Sequence, residues 1–247
     1  ICKNILICDF MNIEPVYSSL DYPKKMALVL FTPGCDIRCK FCHNPQLIKY
    51  DTLNKMEVEL IKDEVDENID FIDAIVLSGG EPLLHLDVIK QFIAQAKDAD
   101  LLIKLDTNGL HPDKLIDVID DIDYVAMDIK APLDKYYKIT DIYPNDVKER
   151  IEKSIDIILS HDVFLECRTT YVPGLLTPED VETIVSQIRC NQYTLQQFRN
   201  RATYDVSLLS VDEPNPEELH DILMSIDTNH IPSLHLKSGQ FGNQKIK

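Results

Sequence analysis

Short apolar, β-branched runs alternate with longer amphipathic stretches along most of the chain, and this alternation limits the fold before any single residue is considered. Met26 to Phe31, Ala74 to Leu77, Leu101 to Leu105, Tyr124 to Met127, Val163 to Val172, Tyr193 to Leu195 and Ile231 to Leu236 read as strands. Lys55 to Glu67, Asp87 to Ala99, Pro112 to Asp120, Asp146 to Ser160, Thr177 to Ile188 and Pro216 to Ser225 carry apolar residues at helical spacing. Two of these helices have explicit start signals. Thr177-Pro-Glu-Asp and Asn215-Pro-Glu-Glu each supply an N-cap, a proline at the first helical position and early acids. Strand and helix in unbroken succession call for right-handed crossovers and a parallel sheet covered by helices on its outer face. The expectation is an α/β fold, an incomplete (β/α)6 TIM-like barrel. It is expected to form one domain over residues 1–247, with an N-terminal extension at 1–25, a barrel core at 26–198 and further βα elements at 199–247.

A chain of 247 residues can bury about 70 % of its unfolded surface, so neither metal nor disulfide is needed merely to hold a core. The net charge of −17 argues against nonspecific binding to nucleic acid, which needs a surplus of lysine and arginine on some face. No apolar run approaches membrane-spanning length, and Ile1 to Cys8 is too short an apolar stretch for a signal peptide. The missing initiator Met points to a trimmed or incomplete N-terminus. Seven cysteines, three of them clustered, do not read as a disulfide framework, which points to a reducing cytoplasm.

In a parallel α/β sheet, chemistry gathers in the loops beyond the carboxyl ends of the strands. The informative residues fall there. Cys35, Cys39 and Cys42 follow the first strand in a C-x3-C-x2-C run preceded by Pro33-Gly34. Gly79-Gly80-Glu81-Pro82 follows the second, Asp106-Thr-Asn108-Gly109 the third, and Asp128-Ile-Lys130 the fourth. Three thiolates leave one position of a metal site without a protein ligand, and such an open position invites a substrate. A Cys3His zinc site using His43 competes with a cluster, although a residue immediately after Cys42 is poorly placed to chelate the same ion. Gly79 and Gly80 can bring backbone close to a ligand, and Glu81 is expected to present its carboxylate at the same rim. Asp128 and Lys130 share one sheet face by period-two geometry.

These motifs resemble the radical S-adenosylmethionine (SAM) superfamily, in its branch of glycyl-radical-enzyme activases, over roughly Tyr17 to Phe198. The cysteine loop with Phe41 before its last ligand, together with the Gly-Gly-Glu-Pro turn, carries the superfamily resemblance. Cys42-His-Asn-Pro45, Leu105 to Gly109, Met127 to Pro132, Arg168 to Gly174 and Leu195-Gln-Gln-Phe198 resemble most closely the activating proteins of anaerobic ribonucleoside-triphosphate reductase. Pyruvate formate-lyase activating enzymes are the next relatives.

The resemblance implies a radical SAM barrel with a 4Fe-4S cluster on Cys35, Cys39 and Cys42, whose open iron is chelated by SAM. It implies that backbone at Gly79, Gly80 and Glu81 holds the methionine amino group and that Asp106, Asn108 and Asp128 line the methionine end. In the pyruvate formate-lyase relatives the acids also serve a monovalent cation. Lys130 and Arg168 would lie near the SAM carboxylate and ribose, and Phe41 near the adenine. An electron from flavodoxin or ferredoxin would cleave SAM to methionine and a 5′-deoxyadenosyl radical, which takes hydrogen from a glycine of the partner enzyme. No nucleic acid and no membrane enters this scheme.

The chain departs from the relatives in two places. Lys24-Lys25 follows Asp21-Tyr22-Pro23 where they commonly have glycine, and Gln197, Phe198 and Arg199 stand where the pyruvate formate-lyase relatives have a histidine. No cysteine-rich stretch follows Cys190, so no auxiliary cluster is expected. Competing readings are an activase of another glycyl radical enzyme, a small-molecule radical SAM enzyme of the 7-carboxy-7-deazaguanine synthase type, and a zinc- or iron–sulfur-binding interaction module. Cys2, Cys8, Cys167 and Cys190 read as structural thiols, and the histidines other than His43 as surface or satisfied core residues.

Overall fold

The computed structural model describes residues 15–49, 55–141 and 145–247. Among the described residues nine strands form one sheet in the order of the chain: β1 (Val16–Ser18), β2 (Ala27–Thr32), β3 (Ala74–Gly79), β4 (Leu102–Thr107), β5 (Tyr124–Asp128), β6 (Phe164–Tyr171), β7 (Gln192–Gln197), β8 (Ser233–Ser238) and β9 (Gly242–Lys245). β2 through β8 are parallel, while β1 and β9 add antiparallel margins and do not pair with each other. The result is an incomplete barrel. Its helices are α1 (Lys55–Glu67), α2 (Leu86–Asp98), α3 (Pro112–Leu115), α4 (Val147–Ser160), α5 (Pro178–Gln187) and α6 (Pro216–Ser225). Among the described residues no helix is long and apolar enough to cross a membrane.

Period-two alternation divides the sheet into two chemically distinct faces. Leu28, Leu30, Ile75, Leu77, Ile103, Leu105, Val125, Met127, Leu165 and Leu195 belong to one buried cluster with the apolar stripes of the helices, such as Ile89, Phe92 and Ile93 of α2 or Ile151, Ile155 and Ile158 of α4. Each fully buried side chain of this size contributes about 1.5–3 kcal/mol. The opposite face holds only a small apolar group, Ala27, Val29, Ala74 and Val76, beside buried polar residues including Lys104, Glu166 and Thr194. Helices thus cover the outside, and the concave inside is left for polar chemistry.

Both expected start signals operate. Thr177 caps α5 in a reciprocal capping box with Asp180, and the Asn215 side chain accepts from Glu217 N to cap α6. The helix expected over Pro112 to Asp120 is shorter than its apolar spacing suggests. It ends at Leu115, and after a turn only a 3₁₀ segment, Ile119–Asp121, follows. Acids at Asp117, Asp120 and Asp121 oppose the helix dipole at that end, and Ile116, Val118 and Ile119 are weak helix formers. β1 and β9 carry no strand signal of their own: β9 is Gly-Asn-Gln-Lys, exposed throughout, and is held by pairing with β8.

Candidate active site

The carboxyl ends of β2 through β8 and the loops that follow most of them line a cavity of about 640 Å³. Its walls include Cys35, Cys39, Phe41, Cys42, Gly79, Gly80, Asp106, Asn108, Asp128, Lys130 and Arg168, every expected site residue except Glu81. Ser78, Thr170, Gln196, Arg199 and Lys237 also line it. Thr170 and Gln196 fall inside the Arg168 to Gly174 and Leu195 to Phe198 stretches, Ser78 precedes the glycine turn and Arg199 follows Phe198, whereas Lys237 has no motif beside it and only inward-facing parity at a strand end could have pointed to it.

The cysteine loop is fixed by backbone. Gly34, at φ +75°, donates its N–H to Leu47 O at 2.7 Å, Cys42 N donates to Cys39 O at 3.0 Å, and Cys39 forms a bridge with Thr140. Burial pushes the Cys35 thiol up to about 12 and the Cys39 thiol to about 11, and it also raises Cys42. Backbone N–H groups of Ile37 and Asn44 oppose the shift at Cys35 and Cys42 by facing their sulfurs. A metal centre must take these groups as thiolates, so its binding releases protons and weakens as pH falls.

Among the described residues, no three His, Cys, Asp or Glu groups stand where they would hold a single metal ion. One tetrahedral zinc would need its ligand sulfurs to converge at about 2.3 Å from one point. Ligation of a separate iron of a cluster by each thiolate does not.

The glycine turn packs against that loop. A Cβ at Gly80 would lie 1.8 Å from Gly34 O, and at Gly79, where φ is +119°, one would lie 2.3 Å from Thr32 N and O. Gly80 N donates to Thr32 O at 2.8 Å and Glu81 N to Gly34 O at 2.9 Å. With these N–H groups spent, the turn has carbonyl oxygens to offer a ligand, which suits a cationic amino group.

The expectation for the Glu81 carboxylate is corrected. It is 0 % exposed and turned away from the cavity, accepting from Asn108 N at 2.7 Å, Thr107 Oγ1 at 2.8 Å and Leu83 N at 3.2 Å. It therefore ties the loop after β3 to the loop after β4. Asn108 Nδ2 continues the chain of contacts to Asp36 Oδ1 at 3.1 Å, and Asp36 Oδ2 lies 3.1 Å from His111 Nε2. Asp36 and His111 thus brace the cysteine loop, a role that spacing in the sequence does not announce.

Burial raises the Glu81 pKa from 4.5 to about 6 despite its three donors. A folded-state pKa above the unfolded one contributes stability that is present below pH 4.5 and lost as pH rises through 6. Wild-type unfolding free energy should fall by about 2 kcal/mol across that window, at about 1.36 kcal/mol per unit. In Glu81→Gln that component should be absent, as read by urea unfolding of both proteins from pH 4 to 7.

Opposite the glycine turn, charges alternate. Arg168 Nε donates to Asp128 Oδ1 at 2.8 Å, and Lys130 Nζ donates to Asp128 Oδ2 at 2.8 Å. Arg168 Nη1 and Lys104 Nζ lie 3.5 and 3.4 Å from Asp106 Oδ1, which makes no hydrogen bond, while Ser78 Oγ donates to Asp106 Oδ2 at 3.1 Å. Lys130 also stands over the Phe41 ring, 5.9 Å from its centre. Burial alone would neutralise both aspartates, but Arg168 first, then Lys130 at Asp128 and Lys104 at Asp106, hold them below the ordinary 3.8. The reciprocal effect outweighs desolvation at Arg168 and Lys130 and keeps both cationic. The wall is therefore charged but nearly neutral in sum, with Asp106 Oδ1 buried between Arg168 and Lys104.

The chain is similar to known proteins in sequence and in fold. Residues 29–188 match the Radical SAM superfamily. Over 212 residues the chain is 37 % identical to a Methanocaldococcus jannaschii protein named as a glycyl-radical enzyme activating enzyme, covering 83 % of this chain and 86 % of that one. It is 32 % identical over 124 residues to the pyruvate formate-lyase-activating enzyme of Listeria monocytogenes, covering 45 % of this chain and half of that protein's length. In fold it is similar to Streptococcus suis SuiB bound to S-adenosylmethionine, with TM-score 0.65 at 14 % identity over 86 % of this chain and 50 % of that one. It is also similar to TYW1 with a lysine-pyruvate adduct bound, with TM-score 0.59 at 15 % identity over 87 % and 77 %. The two structural likenesses concern the fold alone. With a family match across most of the sheet and a relative aligned over most of both chains, the protein belongs to the radical SAM superfamily, in its branch of glycyl-radical enzyme activating enzymes.

Proposed function

We propose that this enzyme installs a glycyl radical on an anaerobic ribonucleoside-triphosphate reductase, using a 4Fe-4S cluster on Cys35, Cys39 and Cys42 and SAM as co-substrate. The observation that carries the reading is the joint placement, around one cavity, of three thiols from one loop, the Gly79-Gly80 turn packed against that loop, and the charged wall of Asp106, Asp128, Lys130 and Arg168. The donor set suits a cluster with one open iron better than a single ion. When bound, that cluster supplies the electron that cleaves the sulfonium of SAM into methionine and a 5′-deoxyadenosyl radical.

The chain's own residues bind, orient and exclude water. Carbonyls at Gly79 and Gly80, with Asp106, suit the methionine amino group. Lys130 and Arg168, fixed by Asp128, suit the carboxylate and ribose, and Phe41 offers an apolar face for the adenine. The same acids are the candidate seat of a monovalent cation. A flavodoxin or ferredoxin serves as electron donor in this reading. The reductase is favoured by the stretches from Cys42 to Pro45, Met127 to Pro132 and Leu195 to Phe198. A pyruvate formate-lyase-type partner is the second reading, favoured by the Listeria relative.

The two separate in one experiment. The anaerobically reconstituted enzyme, SAM and reductant are mixed with a reductase or with a pyruvate formate-lyase from the same source. A glycyl-radical doublet in the electron paramagnetic resonance spectrum of the reductase alone is expected. A doublet on the lyase alone would overturn the assignment.

A further inference from the structure

At the carboxyl ends of β7 and β8 the cavity wall carries a clasp beside the cysteine loop, where Phe198 packs against His43 with ring centres 6.2 Å apart. Gln197, at the end of β7, accepts at Oε1 from Gly239 N at 2.9 Å and from Arg199 Nη1 at 3.3 Å, and its Nε2 donates to Pro214 O at 2.8 Å. Arg199 Nε pairs with Glu213 Oε2 at 3.1 Å, and Glu213 Oε1 accepts from Asn200 N at 3.2 Å. The Arg199 guanidinium lies across Gly239: a Cβ there would come within 1.6 Å of Nη1. Gly239 is not at positive φ, so its backbone does not require glycine. What a side chain at this position would meet is the guanidinium itself.

The place matters because the sheet is open. Among the described residues, β8 is followed in the sheet only by the short, exposed β9. Between the segment after β7 and the β8–β9 turn, the clasp is what spans the cavity wall. Gln197, Arg199, Ser238 and Gly239 all line the cavity.

We infer that Arg199, seated over Gly239 and held by Gln197 and Glu213, is a positioning residue that seals the cavity wall at the ends of β7 and β8, so that cleavage of SAM stays coupled to hydrogen transfer from the partner. This rests on the function proposed above. A sealed wall keeps solvent and buffer from reaching a reactive intermediate, and a wall held by one ion pair and four hydrogen bonds can be opened by small changes.

Gly239→Ala and Arg199→Ala open the clasp from opposite sides. Each is expected to speed backbone amide exchange in the β8–β9 turn by about tenfold or more. Each should also raise 5′-deoxyadenosine formation without partner by about tenfold, with cluster content unchanged. The double variant should be no worse than either single one, since both break the same contact. Arg199→Lys, which keeps a cation for Glu213, should recover part of the coupling. Unchanged amide exchange would overturn the clasp whatever the chemistry. Faster exchange with unchanged partner-free turnover would overturn its role in coupling. If wild-type enzyme cleaves no SAM at all, the proposed function falls, and exchange in the turn still decides whether the clasp exists.

Discussion

Replacing Cys35, Cys39 or Cys42 singly by alanine should abolish reductive cleavage of SAM while the chain remains folded. Loss of an outer hydrogen-bonding partner of a metal ligand costs about 10–100-fold in affinity or activity, and loss of a ligand itself should cost more than that. Folding survives because the buried cluster between sheet and helices extends well beyond the cysteine loop, from Ile61 and Val65 of α1 to Leu219 and Leu223 of α6. The check pairs iron and sulfide analysis with 5′-deoxyadenosine yield and the circular dichroism of each variant. A cysteine variant that kept the wild-type yield would remove that residue from the ligand set. Alanine at His43 should by contrast leave a cluster in place, since His43 is not counted among the ligands.

The second large effect is on stability. Asp128→Ala removes the carboxylate that holds both Arg168 and Lys130, whose side chains are 12 % and 15 % exposed. Two cations then face each other in the cavity wall with only Asp106 in reach of Arg168. Breaking a buried pair on one side costs about 3–5 kcal/mol, and because the Asp128 side chain keeps 28 % exposure the loss should fall near the lower end, about 3 kcal/mol. The sign with pH follows from the depressed pKa. A carboxylate held below 3.8 contributes stability that is present above 3.8 and lost as pH falls through its folded value. Wild type should therefore lose more stability than the variant on acidification below pH 4. Denaturant unfolding at pH 7 and at pH 3 measures both. Binding of SAM should weaken in the same variant, since the two cations lose the partner that orients them.

The architecture was largely legible because each parallel strand is an apolar run and most helices carry caps or apolar stripes that act locally. β2 through β8 fall where alternation places them, and Thr177 and Asn215 start their helices as their side chains dictate. What escaped the sequence is held by pairing or contact rather than by composition. β1 and β9 exist because β2 and β8 offer edges, and α3 stops short because acids accumulate where a helix end disfavours them.

The same division holds at the site. Cys35, Cys39, Cys42 and the glycine pair follow one another at fixed spacing, and Asp106, Asp128, Lys130 and Arg168 come together at successive strand ends. Glu81 shows the limit: its place in the motif suggested the rim, yet its side chain turns inward because three donors from the loops after β3 and β4 converge on it. Cys167 and Cys190 are buried as expected of structural thiols, and Cys2 and Cys8 lie outside the described residues. The Arg199–Gly239 contact joins residues forty positions apart and leaves no local trace in the sequence.

The central claim is that this cavity holds a cluster that cleaves SAM reductively, and anaerobic turnover tests it most directly. Protein reconstituted with iron and sulfide is given SAM and a strong reductant, and methionine and 5′-deoxyadenosine are quantified beside the metal content. The expected result is a cluster with about four irons and four sulfides per chain, with both products formed in equal amounts. One zinc per chain, no sulfide and unchanged SAM would contradict it.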